Sequence, residues 1–179
     1  TYALHRLFVA ASLGIAPDAF AIARNSEGAP YLPGIELEGS AVRTSLSHAD
    51  HSVAIAVAAH GPVGVDIELA ARAPVVPEIA ERVCHPADLV DLDAGMAGLP
   101  GLSRSEALLA LWVRKEAFLK AAGIGLQREM QTFATPDGAL LALPEGSAAR
   151  AVRLRMLDAG RHWMVAVAHA PAHPLPGAG

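Results

Sequence analysis

Ser103 and Glu106 form a Ser-x-x-Glu pair, sixteen residues without glycine or proline follow, and Gly123 closes the run. Such a pair is a capping box, in which each side chain satisfies an otherwise orphaned N–H at a helix start, and glycine readily takes the left-handed turn at a helix end. The spacing therefore predicts one helix of about five turns over 107–122. Strand signals lie on both sides of it. Residues 52–59 and 63–69 are valine- and isoleucine-rich runs separated by His60, Gly61 and Pro62. Residues 138–143, 152–157 and 163–170 read the same way, the last two as a hairpin across Asp158, Ala159 and Gly160. Between the two groups, 71–101 is Pro-rich and charged, with helical material around 77–83 and an irregular loop. Near the start, 7–15 reads as a helix ending at Gly14 in preference to the apolar part of a signal peptide. The segment 54–60, running to Pro62, is weakly repeated as 164–169, running to Pro171. If each closes one half, the first half is short and lacks its opening strand, and the helix at 4–13 is the counterpart of the long one.

A chain of 179 residues that is 53% hydrophobic can fill the core of one domain or of two tightly joined lobes. A net charge of -4 and a pI near 6.0 argue against a nucleic-acid binder. One cysteine, Cys84, excludes an internal disulfide and a thiolate zinc site, and fits a reducing, cytoplasmic setting. No apolar run reaches the ~18 residues a membrane-spanning helix needs. The first residue is threonine, so a preceding stretch of polypeptide is expected.

The chemistry concentrates in two elements. Both lysines of the chain, Lys115 and Lys120, lie in the long predicted helix, whereas the other twelve fixed cations are arginines. An ammonium is compact and can release a proton, which a guanidinium does not readily do. Glu116 and Lys120 are four apart and share a stripe with Leu109, Trp112 and Val113, while Lys115 lies beside Leu108 and Leu111. In 63–69, strand alternation puts Val63, Val65, Ile67 and Leu69 on one face and Gly64, Asp66 and Glu68 on the other. The two carboxylates are then about 6.6 Å apart and parallel. That face is either solvated or holds a divalent cation, for which Mg²⁺ suits a site that also takes phosphates. The run Thr44-Ser-Leu-Ser-His48 is expected to be a donor-rich loop able to hold phosphate oxygens, with an ordinary turn or a His48/His51 metal site as the alternatives.

Taken in order, Ser45-Leu-Ser-His48, Gly64-Val-Asp-Ile-Glu68 and the block from Trp112-Val-Arg-Lys-Glu116 to Leu126, with Glu27-Gly-Ala-Pro-Tyr-Leu32 upstream, resemble the 4′-phosphopantetheinyl transferases of the surfactin-synthetase-activator type. The resemblance implies an α+β pseudo-dimer of two similar lobes, each a small antiparallel sheet on a long helix, with the active site between them. Residues 1–179 would form one transferase domain, the first lobe about 1–61 and the second about 62–179. The implied reaction moves the phosphopantetheine arm of coenzyme A to a serine of an acyl or peptidyl carrier protein and releases 3′,5′-ADP. A non-catalytic carrier-binding module within a larger synthase is the alternative, and a Mg²⁺-dependent phosphohydrolase a third reading. By resemblance, Asp66, Glu68 and Glu116 would hold Mg²⁺. Glu116 would also deprotonate the carrier serine, and Lys120 would donate to the leaving phosphate oxygen. Ser47, His48, Lys115 and Gly28 would contact coenzyme A. The family's coenzyme-binding lysine falls at Ala29, so Arg24, Arg43 or an upstream residue would take over its contact. The resemblance fits a cytoplasmic monomer or a domain of a larger synthase, with no nucleic-acid or membrane partner.

Overall fold

The computed structural model describes residues 1–93, 101–125, 128–147 and 149–171. The chain begins with helix α1 (Tyr2–Leu13), which stops at Gly14 with a φ of 66°. Short strands follow: β1 (Ala23–Arg24) pairs with β2 (Pro30–Tyr31), and β3 (Glu36–Leu37) with β4 (Ser40–Ala41). A seven-residue hairpin comes next, β5 (Arg43–Ala49) against β6 (Ser52–Ala58), turned at Asp50 and His51. Strand β7 (Val63–Leu69) leads into a 3₁₀ segment (Ala70–Ile79) and helices α2 (Ala80–Val83) and α3 (Pro86–Asp93). Helix α4 (Arg104–Ala122) carries the capping box and ends at Gly123, φ 70°. Strands β8 (Leu140–Ala142), β9 (Ala151–Leu157) and β10 (Trp163–His169) complete an antiparallel sheet of order β7-β10-β9-β8.

The result is a mixed α+β fold of small antiparallel sheets and helices. Helix α4 lies on the four-stranded sheet, and Leu108, Leu111, Val113, Phe118 and Leu119 close a core with Val152, Leu154, Met164 and Ala166. Burial of side chains of this size is the main stabilising term of such a layer, at about 25 cal/mol per Å² of apolar surface. A smaller core under α1 gathers Val9, Ala10, Phe20, Leu32 and Val42. A third cluster, Ala49, Val65, Ile67 and Val165, joins the β5–β6 hairpin to the main sheet. The similar segments at 54–60 and 164–169 become β6 and β10, yet β6 belongs to a two-stranded sheet and β10 lies in the middle of a four-stranded one.

Two expectations are corrected. Residues 44–48 are not a loop; they are the body of β5. Their hydroxyls do not need water, because each has a partner inside the fold: Thr44 Oγ1 donates to Ala56 O at 3.1 Å, Ser45 Oγ accepts from Val65 N–H at 3.1 Å, and Ser47 Oγ donates to Asp66 Oδ1 at 2.6 Å. Satisfied polar groups can be buried, so the strand holds. Helical structure between the strand groups is also more extensive than 77–83, beginning at Ala70 and including α3. The end of the expected irregular loop, 94–100, lies outside the described residues, as does Leu126 of the third sequence block.

Candidate active site

The site forms where β7 crosses α4. Gly64 makes the crossing possible: a Cβ built there would lie 2.0 Å from Ala117 O and 2.4 Å from Ala121 N, so strand and helix backbones are in direct contact. An isolated glycine in an apolar strand is the mark of such an approach, but the alternation alone gave no reason to separate Gly64 from its neighbours. With the backbones this close, Asp66 from the strand meets Lys120 from the helix. Lys120 Nζ donates to Asp66 Oδ1 at 2.7 Å and to Val65 O at 3.2 Å. Ser47 steadies the same carboxylate oxygen from the other side. The other oxygen, Asp66 Oδ2, is buried and has no hydrogen-bond partner.

Glu116, one turn before Lys120, is half-buried. Its carboxyl is pushed above the usual range first by burial and then by the negative charge of Asp66, with Glu68 adding to the rise and Lys120 opposing it. The three acids and the ammonium therefore act as one electrostatic unit. They do not form a ready cage: among the described residues no three His, Cys, Asp or Glu side chains stand close enough to hold a metal. Glu68, expected beside Asp66, is instead held by Arg72 through two bonds of 2.8 and 2.9 Å. The reason is that carboxylates facing one another are stabilised by the nearest cations, here Lys120 for Asp66 and Arg72 for Glu68. The donor set nonetheless fits a hard divalent ion. An orphaned carboxylate oxygen and a neighbouring acid resisting ionisation are what such an ion would relieve.

Two adjoining cavities open beside this centre. One, of about 450 Å³, is lined by Arg24, Gly28, Ser45, Glu116 and Lys120. The other, of about 370 Å³, is lined by Tyr31, Arg43, Val63 and Lys120, and Ala29, Pro30, Thr44 and Gly123 border both. Gly28, expected as a coenzyme contact, lines the larger cavity in a left-handed turn of φ 81°. Ser47 does not line either cavity and bonds to Asp66 instead, and His48 is exposed and lines neither.

Lys115 is the clearest correction. Its side chain is wholly buried on another side of α4, and its ammonium contacts Asp88 at 2.8 Å, Met130 O at 2.8 Å and Phe133 O, over the Phe133 ring. Burial pulls its pKa down and the Asp88 carboxylate opposes that fall. There it lines neither cavity and ties α4 to α3 and to the 130–133 turn. Removing one partner of a buried pair strands the other charge. Lys115→Met is therefore expected to lower unfolding free energy by about 3–5 kcal/mol in urea titrations. Adding Asp88→Asn should restore part of the loss.

Residues 62–172, more than half of the chain, match the profile of the 4′-phosphopantetheinyl transferase superfamily. The chain belongs to that superfamily. It is 29% identical over 175 residues to a 4′-phosphopantetheinyl transferase of Bacillus subtilis, an alignment covering 96% of this chain and 71% of that one. A Synechocystis sp. protein provisionally named as the same enzyme is 27% identical over 121 residues, covering 68% of this chain and 47% of the relative. The β7–α4 crossing lies inside the part that defines the transferase family, while the β5 contribution, Ser45 and Ser47, precedes it. No helix among the described residues is long and apolar enough to cross a membrane.

Proposed function

We propose that this transferase moves the 4′-phosphopantetheine arm of coenzyme A to a serine hydroxyl of an acyl or peptidyl carrier protein. The carrying observation is the pairing of Asp66 with Lys120 beside a half-buried, hard-to-ionise Glu116, with Lys120 lining two adjoining cavities and Glu116 the larger of them. In the reaction a bond forms between the serine oxygen and the phosphorus that bears the pantetheine arm. The bond from that phosphorus to the bridging oxygen breaks, and 3′,5′-ADP leaves.

Glu116 is suited to take the serine proton because its affinity for protons is raised toward the working range of a general base. Lys120 supplies positive charge and a proton donor to the leaving oxygen, and Ser47 fixes the Asp66 carboxylate that orients Lys120. Asp66, Glu116 and Glu68 would hold Mg²⁺, which would neutralise charge on the diphosphate. In this reading the portions at 1–61 and 62–179 act as two lobes with the site at their junction. The protein acts in the cytoplasm as a monomer or as part of a larger synthase, and its one cysteine, Cys84, stays buried and unpaired.

Intact mass measurement of apo carrier proteins incubated with coenzyme A tests the proposal. One phosphopantetheine arm should be added in Mg²⁺, and chelation should abolish the addition. A carrier panel left unmodified in Mg²⁺, or modified equally in chelator, would remove the transferase or the metal assignment respectively.

A further inference from the structure

Of the three acids expected to hold Mg²⁺, Glu68 alone is claimed by a cation that lines neither cavity. Asp66 shares one oxygen between Ser47 and Lys120 and leaves Oδ2 without a partner. Glu116 lines the larger cavity. Both oxygens of Glu68, in contrast, accept from a single nitrogen, Arg72 Nη1, at 2.9 and 2.8 Å. This pairing accounts for the lack, among the described residues, of three acids close enough to hold a metal.

The chain's turn after β7 creates the contact. Arg72 lies in the 3₁₀ segment Ala70–Ile79, whose Ala73 and Val76 are buried in the main core. The backbone under Arg72 is therefore fixed, while its side chain is 60% exposed and that of Glu68 only 17%. An ion pair so open to water on its cationic side is weak, and a stronger competitor can break it. Glu68 also stays within electrostatic reach of the site, since its charge adds to the rise in the Glu116 pKa. Strand alternation keeps it on the Asp66 side of β7, about 6.6 Å away along the strand. Rotation about the Glu68 side-chain bonds, with no movement of β7, redirects its carboxylate.

On the proposed reading, in which Asp66, Glu68 and Glu116 take Mg²⁺, we infer that Arg72 is a positioning residue that competes with the ion for Glu68 and sets the affinity of the site. In the metal-free protein Arg72 neutralises a carboxylate that would otherwise repel its two neighbours. A hard dication, which prefers carboxylate oxygens, must draw Glu68 away from it. Arg72 thus lowers the affinity of the metal site without belonging to it.

Binding of Mn²⁺, an ion that shares the preference of Mg²⁺ for oxygen ligands, reads this contest in the full chain without coenzyme or carrier. The loss of the free ion's electron paramagnetic resonance signal gives the affinity. R72A should bind about fivefold more tightly than the wild type, the scale of one exposed ion pair removed. R72Q should behave alike, and melting temperatures should not change, because Arg72 is exposed and its buried neighbours remain. In a Glu68→Gln background the same removal should alter affinity by less than about twofold, because the charge of Arg72 alone acts through water and is screened at about 0.15 M salt. Equal binding by the wild type and R72A overturns the inference and leaves the metal assignment standing, whereas binding by neither overturns both. A gain that persists in full in the Glu68→Gln background makes Arg72 a background charge and overturns the inference as well. An Arg72-dependent affinity in a chain that modifies no carrier loses the transferase reading alone.

Discussion

Gly64→Ala is expected to unfold the main sheet and helix of this protein, although it adds one methyl group. The added Cβ would overlap Ala117 O and Ala121 N, which are backbone atoms and cannot rotate aside. Relief requires moving β7 or α4 by more than an ångström, and α4 is fixed by the main core, β7 by the packing of Val65 and Ile67 against Ala49 and Val165. Interiors of this density do not yield to such a shift. The expected loss exceeds about 4 kcal/mol, a large share of the stability of an ordinary domain. Chemical denaturation of Gly64→Ala checks it, with Val65→Ala as a comparison that only trims a buried side chain. A Gly64→Ala protein with the wild-type midpoint would mean that strand and helix are not in backbone contact, and the Asp66–Lys120 pair would lose its structural basis.

What could be read from the sequence was whatever local chemistry encodes. The Ser103–Glu106 box and Gly123 mark the ends of α4 within its own residues, and the alternation of 63–69 separates Asp66 from the apolar face of β7. Strand β5 escaped because the groups that make a buried Ser-rich strand tolerable, Val65 N–H and Asp66, are about twenty residues away in sequence. Lys115 and Lys120 look alike on the helix, and only tertiary packing distinguishes them: Asp88 and the 130–133 backbone meet one, β7 meets the other. Glu68 escaped for the same reason, since Arg72 becomes its partner only when the chain turns into the 3₁₀ segment after β7. The acids of the site were thus legible as residues, whereas their cation partners were a product of the fold.

Glu116→Gln should separate activity from stability. Transfer should fall by about 10²–10⁴-fold, the usual contribution of a positioned general base. The fold should not suffer, and the direction of the pKa shift says why. Glu116 holds its proton more tightly folded than unfolded, because burial and Asp66 disfavour its charge. Below its unfolded pKa both states are protonated and the residue is neutral toward stability. As pH rises from there through the raised folded value, the folded state binds more protons than the unfolded one, so stability falls. Above the raised folded value the wild type carries that full penalty and the glutamine variant does not, so the variant's denaturation midpoint there should equal or exceed that of the wild type. The wild-type rate should follow the same titration, rising with pH as Glu116 ionises, and the residual rate of the variant should lack that limb. A destabilised Glu116→Gln would show the residue to be structural, and a variant with the wild-type rate and pH profile would remove it from the reaction. Loss of transfer with stability kept or raised is the pattern of a group held at an energetic disadvantage for the chemistry it performs.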